Sequence, residues 1–140
     1  MAKLQYAGDY VLKEALLVSS TGVRLDLVGN ILAFEIFENL FSTSLSGSIT
    51  FADTDNIITN APIVGQEYLY LRVGTPTLDD YDIDFTNVPF TTYKVNARVD
   101  ANKNTQVAQV SFTSPEMLTD KRVRVSKSYT DTIDNIVTNI

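Results

Sequence analysis

Alternating apolar and polar residues dominate this chain, and the clearest run lies at residues 45–52. Leu45, Gly47, Ile49 and Phe51 fall on one side of that run, and serines and threonines fall on the other. This is the period of a half-buried β-strand. A glycine on the apolar face indicates a strand that bends sharply or that another backbone crosses closely. The next segment, "DNIITNAPIVG" at 55–65, predicts a one-turn plug over the end of a barrel.

Further strands are predicted on both sides of this run. Residues 10–20 and 23–41 are rich in aliphatic side chains, and Gly29–Asn30 predicts a hairpin turn or a bulge within the second stretch. The acidic stretch 79–87 also alternates, and either a strand or a loop fits it. In residues 67–74, one face carries Leu69, Leu71 and Val73, and the other carries Tyr68, Tyr70 and Arg72.

The segments "TTYKVNARVD" and "TQVAQVSFTS", on either side of "ANKN", predict an antiparallel hairpin whose loop is longer than two residues. Its inward residues are predicted to be Val95, Ala97 and Val99, facing Ala108, Val110 and Phe112. Its outward polar residues are Asn96, Arg98, Asp100, Gln106 and Gln109. The predicted core is Ile49, Phe51, Leu69, Leu71, Val95, Val110 and Phe112.

Two helices are predicted after the strands. "SPEMLTDK" begins with Ser114 as N-cap and Pro115 at the first helical position. In "SYTDTIDNIVTNI", Ser128 or Thr130 is positioned to cap a helix whose apolar stripe is formed by Ile133, Ile136, Val137 and Ile140. We expect that stripe to pack on the sheet or to continue into a further region.

These elements predict a mainly β fold, an antiparallel β-barrel or sandwich with one short and one amphipathic flanking helix. Residues 1–128 form the predicted β domain, and residues 129–140 are predicted to form the start of a helix, which we interpret as the beginning of a further region. The length of 140 residues fits one domain.

Composition narrows the chemistry. The chain has no cysteine and no histidine, which excludes disulfides, thiolate metal sites and the usual general base. A net charge of −6 disfavours a phosphate-binding surface. The N-terminal residues contain no apolar run of the length of a signal peptide or a membrane span. We therefore expect a non-catalytic protein without cofactor, made in the cytoplasm.

Several acidic and aromatic groups are candidates for chemistry, and each has a simpler interpretation. Glu35 and Glu38 lie three residues apart, which in a strand places them on opposite faces. The aspartates at 79–84 are interpreted as a solvated acidic edge or turn. "DTDN" at 53–56 lacks the glycine and glutamate of an EF-hand loop, so Asx-turn chemistry is favoured and no metal site is expected. Tyr68 and Tyr70 have the chemistry to stack on a sugar.

One long stretch, "FEIFENLFSTSLSGSITFADTDNIITNAPIVGQEYLYLRV", resembles the first barrel domain of baseplate hub proteins from contractile-tailed bacteriophages. The matching features are a small-residue "SGSI" strand ending in an aspartate, a short "NII" turn and "PIVGQE" opening a further strand. The matching positions are Gly47, Ile49, Asp53, Pro62, Ile63, Gly65 and Glu67. A strand from Tyr93, a hairpin around Asn102 and the "SPEMLTD" helix extend the resemblance to roughly residues 10–140.

The resemblance implies a tail-tube-like barrel in the virion tail. In that family, two barrels per chain form a trimeric ring of pseudo-sixfold symmetry that joins the tail tube to the central spike. DNA passes through the ring without specific binding. Family hubs are considerably longer than this chain. The alternatives are a one-barrel tube or tube-initiator protein in a true hexamer, and a small glycan- or receptor-binding β-sandwich of a tail fibre that uses Tyr68 and Tyr70.

The candidate residues for a ring interface or a channel wall follow from these expectations. They are Asn96, Arg98, Asp100, Gln106 and Gln109 on the hairpin and Tyr68, Tyr70 and Arg72 on the strand at 67–74. The expected partners are further copies of the chain, as a trimer or a hexamer, and the tube and spike proteins. No membrane contact is expected.

Overall fold

The computed structural model of the chain describes residues 8–54, 63–76, 78–102, 105–124 and 126–138. Its strands are β1 (Val11–Val18), β2 (Arg24–Asp26), β3 (Ile31–Phe37), β4 (Ser46–Asp53), β5 (Tyr68–Thr75), β6 (Leu78–Asp84), β7 (Phe90–Asn102) and β8 (Thr105–Thr113). The helices are α1 (Glu116–Arg122) and α2 (Ile133–Thr138). The prediction of a mainly β fold with two helices is confirmed. Residues 55–62 of the predicted plug and residues 103–104 of the predicted hairpin loop lie outside the described residues.

All eight strands belong to one antiparallel sheet. Seven of them follow the order β2-β1-β5-β7-β8-β4-β3, and β6 pairs with β5 outside that order. β1 pairs along one edge of β5, and β7 and β6 share the other edge. β7 pairs with the beginning of β5, and β6 pairs with its end. Because β2 and β3 end the strand order, the sheet is not closed into a barrel among the described pairings.

A turn between β2 and β3 nevertheless brings the two ends of the strand order together. The N–H of Leu27 donates to the carbonyl of Ala15 in β1 (2.8 Å), and the N–H of Ala52 in β4 donates to the carbonyl of Asn30 (2.8 Å). The ring of Tyr10, just before β1, meets the ring of Phe34 in β3 edge-on at 5.3 Å. The sheet is therefore strongly curved.

The predicted turn at Gly29–Asn30 is present, but it is not a hairpin turn. β2 pairs with β1, and β3 pairs with β4, so the turn connects the two ends of the sheet order. Local alternation predicts a turn at such a position, but it contains no information about which strands the turn joins.

One face of the sheet carries the core. Its buried apolar residues are Ala15, Leu17, Leu27, Ile49, Phe51, Leu69, Leu71, Val73, Phe90, Ala108, Val110 and Phe112. The ring of Phe90 contacts Phe112 at a centroid distance of 4.6 Å and Phe85 at 4.4 Å. Of the predicted core, Val95 alone is half-buried and packs at the margin, and the other members are buried.

Gly47 lies on the buried face of β4, and its neighbours leave no room for a side chain. A Cβ placed on Gly47 would lie 2.5 Å from Cζ of Phe112 and closer still to the carbonyl oxygen of Glu35 in β3. The prediction of a close backbone crossing at this glycine is confirmed. Glycine is required here because the aromatic core and the neighbouring strand occupy the space of the side chain.

β6 confirms the strand interpretation of the acidic stretch, but its burial is the reverse of what its apolar residues suggest. Tyr81 and Ile83 are 75% and 57% exposed. The side chain of Asp82, between them, is only 9% exposed because Lys13 and Arg72 cover it. An apolar pair at the margin of the sheet is therefore open to solvent, and a carboxylate is covered.

Helix α1 follows β8 directly. The helix begins one residue later than predicted: Pro115, predicted at the first helical position, has helical angles (φ −59°, ψ −26°) but is the N-cap. The prediction of Ser114 as N-cap is therefore wrong by one residue. The hydroxyl of Ser114 instead accepts a hydrogen bond from the N–H of Leu45 (3.1 Å) and so connects the helix to the beginning of β4.

Helix α2 is shorter than predicted and begins at Ile133. Its first-turn bond runs from the N–H of Ile136 to the carbonyl of Thr132 (3.0 Å), so the predicted caps Ser128 and Thr130 lie too early in the chain. No described residue of α2 is buried, and Ile133 and Val137 are 81% and 68% exposed. The predicted apolar stripe is thus open at Ile133 and Val137 and half-buried at Ile136, and Ile140 lies outside the described residues.

Candidate functional site

Bulges in β7 decide which way the predicted hairpin residues point. The pairing of β7 with β8 shifts register at Tyr93 and again at Asn96. Each inserted residue turns the following side chains to the opposite face. Ala97 and Val99 were predicted on the core face and lie instead on the outer face, where Val99 is 61% exposed. The predicted inward direction of these two residues is wrong for that reason.

The five hairpin candidates are consequently divided between two faces. Residues directly opposite each other on paired strands share a face. Asn96 and Gln109 lie on the outer face. Arg98 lies opposite Ala108, and Asp100 lies opposite Gln106, so these candidates are on the core-side face, towards the end of the hairpin.

Polar contacts within the sheet hold most of these side chains. Nδ2 of Asn96 donates to the hydroxyl of Ser111 (2.6 Å), and Nε2 of Gln106 donates to a carboxylate oxygen of Asp100 (2.9 Å). Nε2 of Gln109 lies 3.4 Å from the hydroxyl of Ser48 in β4. These contacts engage four of the five hairpin candidates within the sheet.

The β5 candidates Tyr68, Tyr70 and Arg72 lie together on the outer face, as predicted. Nε of Arg72 contacts a carboxylate oxygen of Asp82 at 2.7 Å, and Nζ of Lys13 contacts the other at 2.7 Å. The hydrogen bond from Lys13, reinforced by that from Arg72, holds the pKa of Asp82 below its ordinary value. The hydrogen bond to Asp82 likewise raises the pKa of Arg72. Arg72 is thus engaged within the chain.

The two groups of candidates lie at opposite ends of β7. Tyr68 pairs with Thr91, at the beginning of β7, and Arg72 lies further away from the hairpin along β5. At about 3.4 Å per residue, Arg98 lies about 24 Å along β7 from Thr91. The structure therefore does not bring the eight predicted residues into one site.

Tyr68 does line a pocket that the sequence did not reveal. The pocket has a volume of about 470 Å³, and its walls include Tyr68, Tyr93, Met117, Leu118 and Arg122. The bulge at Tyr93 and the packing of α1 beside the beginnings of β5 and β7 create it. The adjacent apolar residues Met117 and Leu118 are the feature of the sequence that could have indicated this pocket. The direction in which they point depends on where the helix packs, which the sequence pattern does not contain.

A fully buried carboxylate beside this pocket belongs to Glu67. Its carboxylate accepts hydrogen bonds from the backbone N–H groups of Val64 (2.6 Å), Gly65 (3.0 Å) and Gln66 (3.2 Å). It also accepts a short hydrogen bond from the hydroxyl of Thr92. This carboxylate thereby fixes the "IVGQE" corner before β5, in which Gly65 has a φ of +91°.

The hydrogen bonds of Glu67 outweigh the effect of its burial. Burial by itself raises a carboxyl pKa, because it disfavours the charged form. The bonds from Thr92 and from the corner backbone favour the charged form, and the net effect is a pKa below the ordinary value. Glu67 is therefore an ionised structural group with its acceptors engaged, a role that the sequence did not indicate.

The loop after β3 carries the most exposed large apolar side chains of the described residues. Leu40 and Phe41 are 92% and 94% exposed. Their turn is held by Asn39, whose side-chain oxygen accepts from the N–H of Phe41 (2.9 Å) and whose carbonyl accepts from the N–H of Ser42 (3.0 Å). We call residues 38–41 the apolar tip. It is an ordered turn that presents two large apolar groups to solvent.

The carboxylates considered for catalysis or metal binding are separate from one another. Glu35 and Glu38 are both exposed, and Asp53 is buried in β4 opposite Gln106. Over the described part of the chain, no three acidic, histidine or cysteine side chains are grouped closely enough to hold a metal ion. The side chains of Asp79 and Asp80 lie outside the described residues.

No protein family model matches this chain, and no curated protein is significantly similar to it. None of the helices in the described ranges is long and apolar enough to cross a bilayer. Function is therefore inferred from the residue pattern and the geometry.

Proposed function

We propose that this chain is a structural protein of a contractile phage tail, forming part of an axial hub ring at the baseplate that joins the tail tube to the central spike. The observation that carries the proposal is the curvature of the eight-stranded sheet. Its end strands meet through the 27–30 turn and through the contact of Tyr10 with Phe34. A strongly curved sheet whose end strands lie close together is compatible with the tail-tube-like barrel that the sequence resemblance implies.

The motif positions support this proposal because their roles in the structure concern folding. Gly47 gives space to the Phe112 ring, and Ile49 is in the core. Gly65 and Glu67 make the corner that leads into β5. Folding roles at the motif positions support a fold shared with the hub proteins.

The surface supports assembly into a ring. The apolar tip and the Tyr81–Ile83 pair of β6 are exposed, whereas the outer face of the hairpin combines the hydrogen-bonded Asn96 with the exposed Val99. Neighbouring exposed apolar side chains of this kind suit a contact with another protein surface. With a net charge of −6, a bore formed by such subunits lets DNA pass without specific binding, because affinity for DNA requires Lys and Arg at the phosphates.

Two variants of this function remain within the proposal. If the chain acts as one barrel per subunit, as a tube or tube-initiator protein, the ring is a true hexamer. If it is the first barrel of a longer hub, the ring is a trimer with two barrels per chain. In both variants, the ring is part of the virion tail, and the protein is made in the host cytoplasm before the tail assembles.

A glycan- or receptor-binding module of a tail fibre is the second candidate, and the pocket favours it. Tyr68 and Tyr93 flank that pocket with 49% and 48% of their surfaces exposed, which suits stacking on a sugar ring. Such a module binds its glycan as an isolated unit. Glycan-array binding by the purified chain that is lost in Tyr68→Ala and Tyr93→Ala supports this candidate against the ring.

Native mass spectrometry tests the ring directly. We expect the chain to appear as a trimer or a hexamer, either when purified alone or within isolated tails. A chain that remains monomeric in both samples contradicts the proposal.

A further inference from the structure

The apolar tip and the tyrosine pocket lie at the same level of the sheet. Cross-strand pairing forms a continuous row from one to the other, through Phe37, Ser46, Thr113, Thr91 and Tyr68. Phe37 is the last residue before the tip, and Tyr68 lines the pocket. Four strand spacings of about 4.8 Å separate them by about 19 Å along the sheet.

Helix α1 stands between the two features. The groove beside the tip is lined by Glu38 and Glu116 on one side of the helix, and the pocket is lined by Met117, Leu118 and Arg122 on the other. Within one chain the tip does not reach the pocket, because Leu40 and Phe41 remain almost fully exposed.

From this arrangement we propose that the apolar tip of one copy inserts into the tyrosine pocket of the next copy. The chemistry of the two surfaces is complementary. Leu40 and Phe41 match the apolar part of the pocket wall, which Tyr68, Tyr93, Met117 and Leu118 form beside Gln66 and several threonines. The acidic Glu38 at the base of the tip matches the basic Arg122 at the rim of the pocket.

The contact joins two different surfaces and is therefore heterologous. Such a contact continues from copy to copy, and it forms a ring when the rotation between copies closes and an open filament when it does not. Because both lie at one level of the sheet, neighbouring copies stand side by side. The turn bonds of Asn39 already hold the tip in one shape, which lowers the entropy lost on docking. This inference rests on the proposed function, and it adds the contact by which the ring forms.

Cysteine crosslinking tests the contact, and the chain has no native cysteine to interfere. In the double variant Phe41→Cys with Leu118→Cys, oxidation is expected to join neighbouring copies into a covalent ladder on a denaturing gel. A control, Phe41→Cys with Val137→Cys, places the second thiol on helix α2, where Val137 is 68% exposed against 41% for Leu118, and is expected to give no such ladder.

Surface variants give a second measure. Leu40→Ser with Phe41→Ser is expected to leave the melting temperature unchanged and to abolish assembly. The charge reversals Glu38→Arg and Arg122→Glu are each expected to weaken assembly, and their combination is expected to restore it.

The outcomes separate this inference from the proposed function. A wild-type ring without crosslinking, in which the serine variant also assembles, overturns the tip-to-pocket contact and leaves the ring standing. Crosslinking within an assembly that lacks threefold or sixfold symmetry supports the contact and contradicts the hub ring. No crosslinking and no assembly, in the chain and in isolated tails, contradicts both.

Discussion

Strand β8 pairs with β4 on one side and with β7 on the other, and the two pairings behave differently. The β4–β8 pairing keeps one register over its whole length, from Ser46 opposite Thr113 to Asp53 opposite Gln106. The β7–β8 pairing shifts register at three places. Along β4 every second residue is buried, as its alternation predicts, whereas along β7 the predicted alternation fails after the bulges.

This difference indicates under which condition the alternation in a sequence determines the sheet face on which a residue lies. β4 lies against the core along its length, so a slip of one residue would expose its whole apolar set. The far half of β7 has no core to face, and residues 96–101 are all exposed. Bulges are tolerated there, and the residue pattern no longer determines which side chains point inward.

The largest expected effect concerns the core end of β8. Phe112→Ala removes a fully buried ring that packs on Phe90 and beside Gly47, and it is expected to lower the free energy of unfolding by about 3–5 kcal/mol. Val99→Ala, on the solvent-exposed part of the hairpin, is the control and is expected to change it by less than about 0.5 kcal/mol. Urea denaturation of both variants measures the contrast. Equal effects would refute the assignment of the two faces.

Gly47→Ala tests the close approach between β3, β4 and Phe112. The added methyl group collides with the Phe112 ring and the Glu35 carbonyl, so we expect a loss of about 1–3 kcal/mol, or more if the backbone does not shift. Gly29→Ala is the matched control, because no atom lies within 4 Å of the added group. A Gly47→Ala protein of wild-type stability would mean that β3 does not approach β4 in this way.

Glu67→Gln tests the corner before β5. At neutral pH, the loss of the carboxylate that satisfies several backbone N–H groups is expected to cost about 1–3 kcal/mol. The pKa of Glu67 is lowered by folding, so its stabilising effect is present above the unfolded value of about 4.3 and is lost as the pH falls through the folded pKa. The stability difference between wild type and variant should therefore shrink below about pH 4.3. A difference that stays constant down to acid unfolding contradicts the ionised corner.

The smallest effect is expected at the second bulge. Asn96→Ala removes the hydrogen bond to Ser111 and is expected to lower the free energy of unfolding by about 0.5–1.5 kcal/mol. Asn87→Ala, in an exposed bend after β6, is the control and should have no measurable effect. If the Asn96 variant matches this control, the bulge is held by the backbone alone.

Much of the fold follows from the sequence because burial imposes a period on the strands. Leu69 and Leu71, like Ile49 and Phe51, were assigned correctly because their strands lie fully over the core. Gly47 was also interpretable, since a glycine on an apolar face requires a close neighbour. In both cases a short residue pattern reflects the burial of its strand in the core.

The candidate surface was less predictable because it depends on contacts between distant segments. The pocket requires Tyr93 on a bulge and α1 beside the beginning of β5. The role of Glu67 requires its side chain to turn back on the preceding backbone and to meet Thr92, which lies 25 residues away. The burial of Asp82 requires Lys13, which lies on another strand. The spacing of residues within a single strand does not predict these contacts between distant segments.

Electron microscopy of the assembled phage particle tests the central claim most directly. We expect density for this chain in an axial ring of threefold or sixfold symmetry at the baseplate, with the β7–β8 hairpin at an interface between subunits or lining the bore. Finding the protein as an isolated monomer on a fibre or on the capsid, outside any axial ring, would contradict the account.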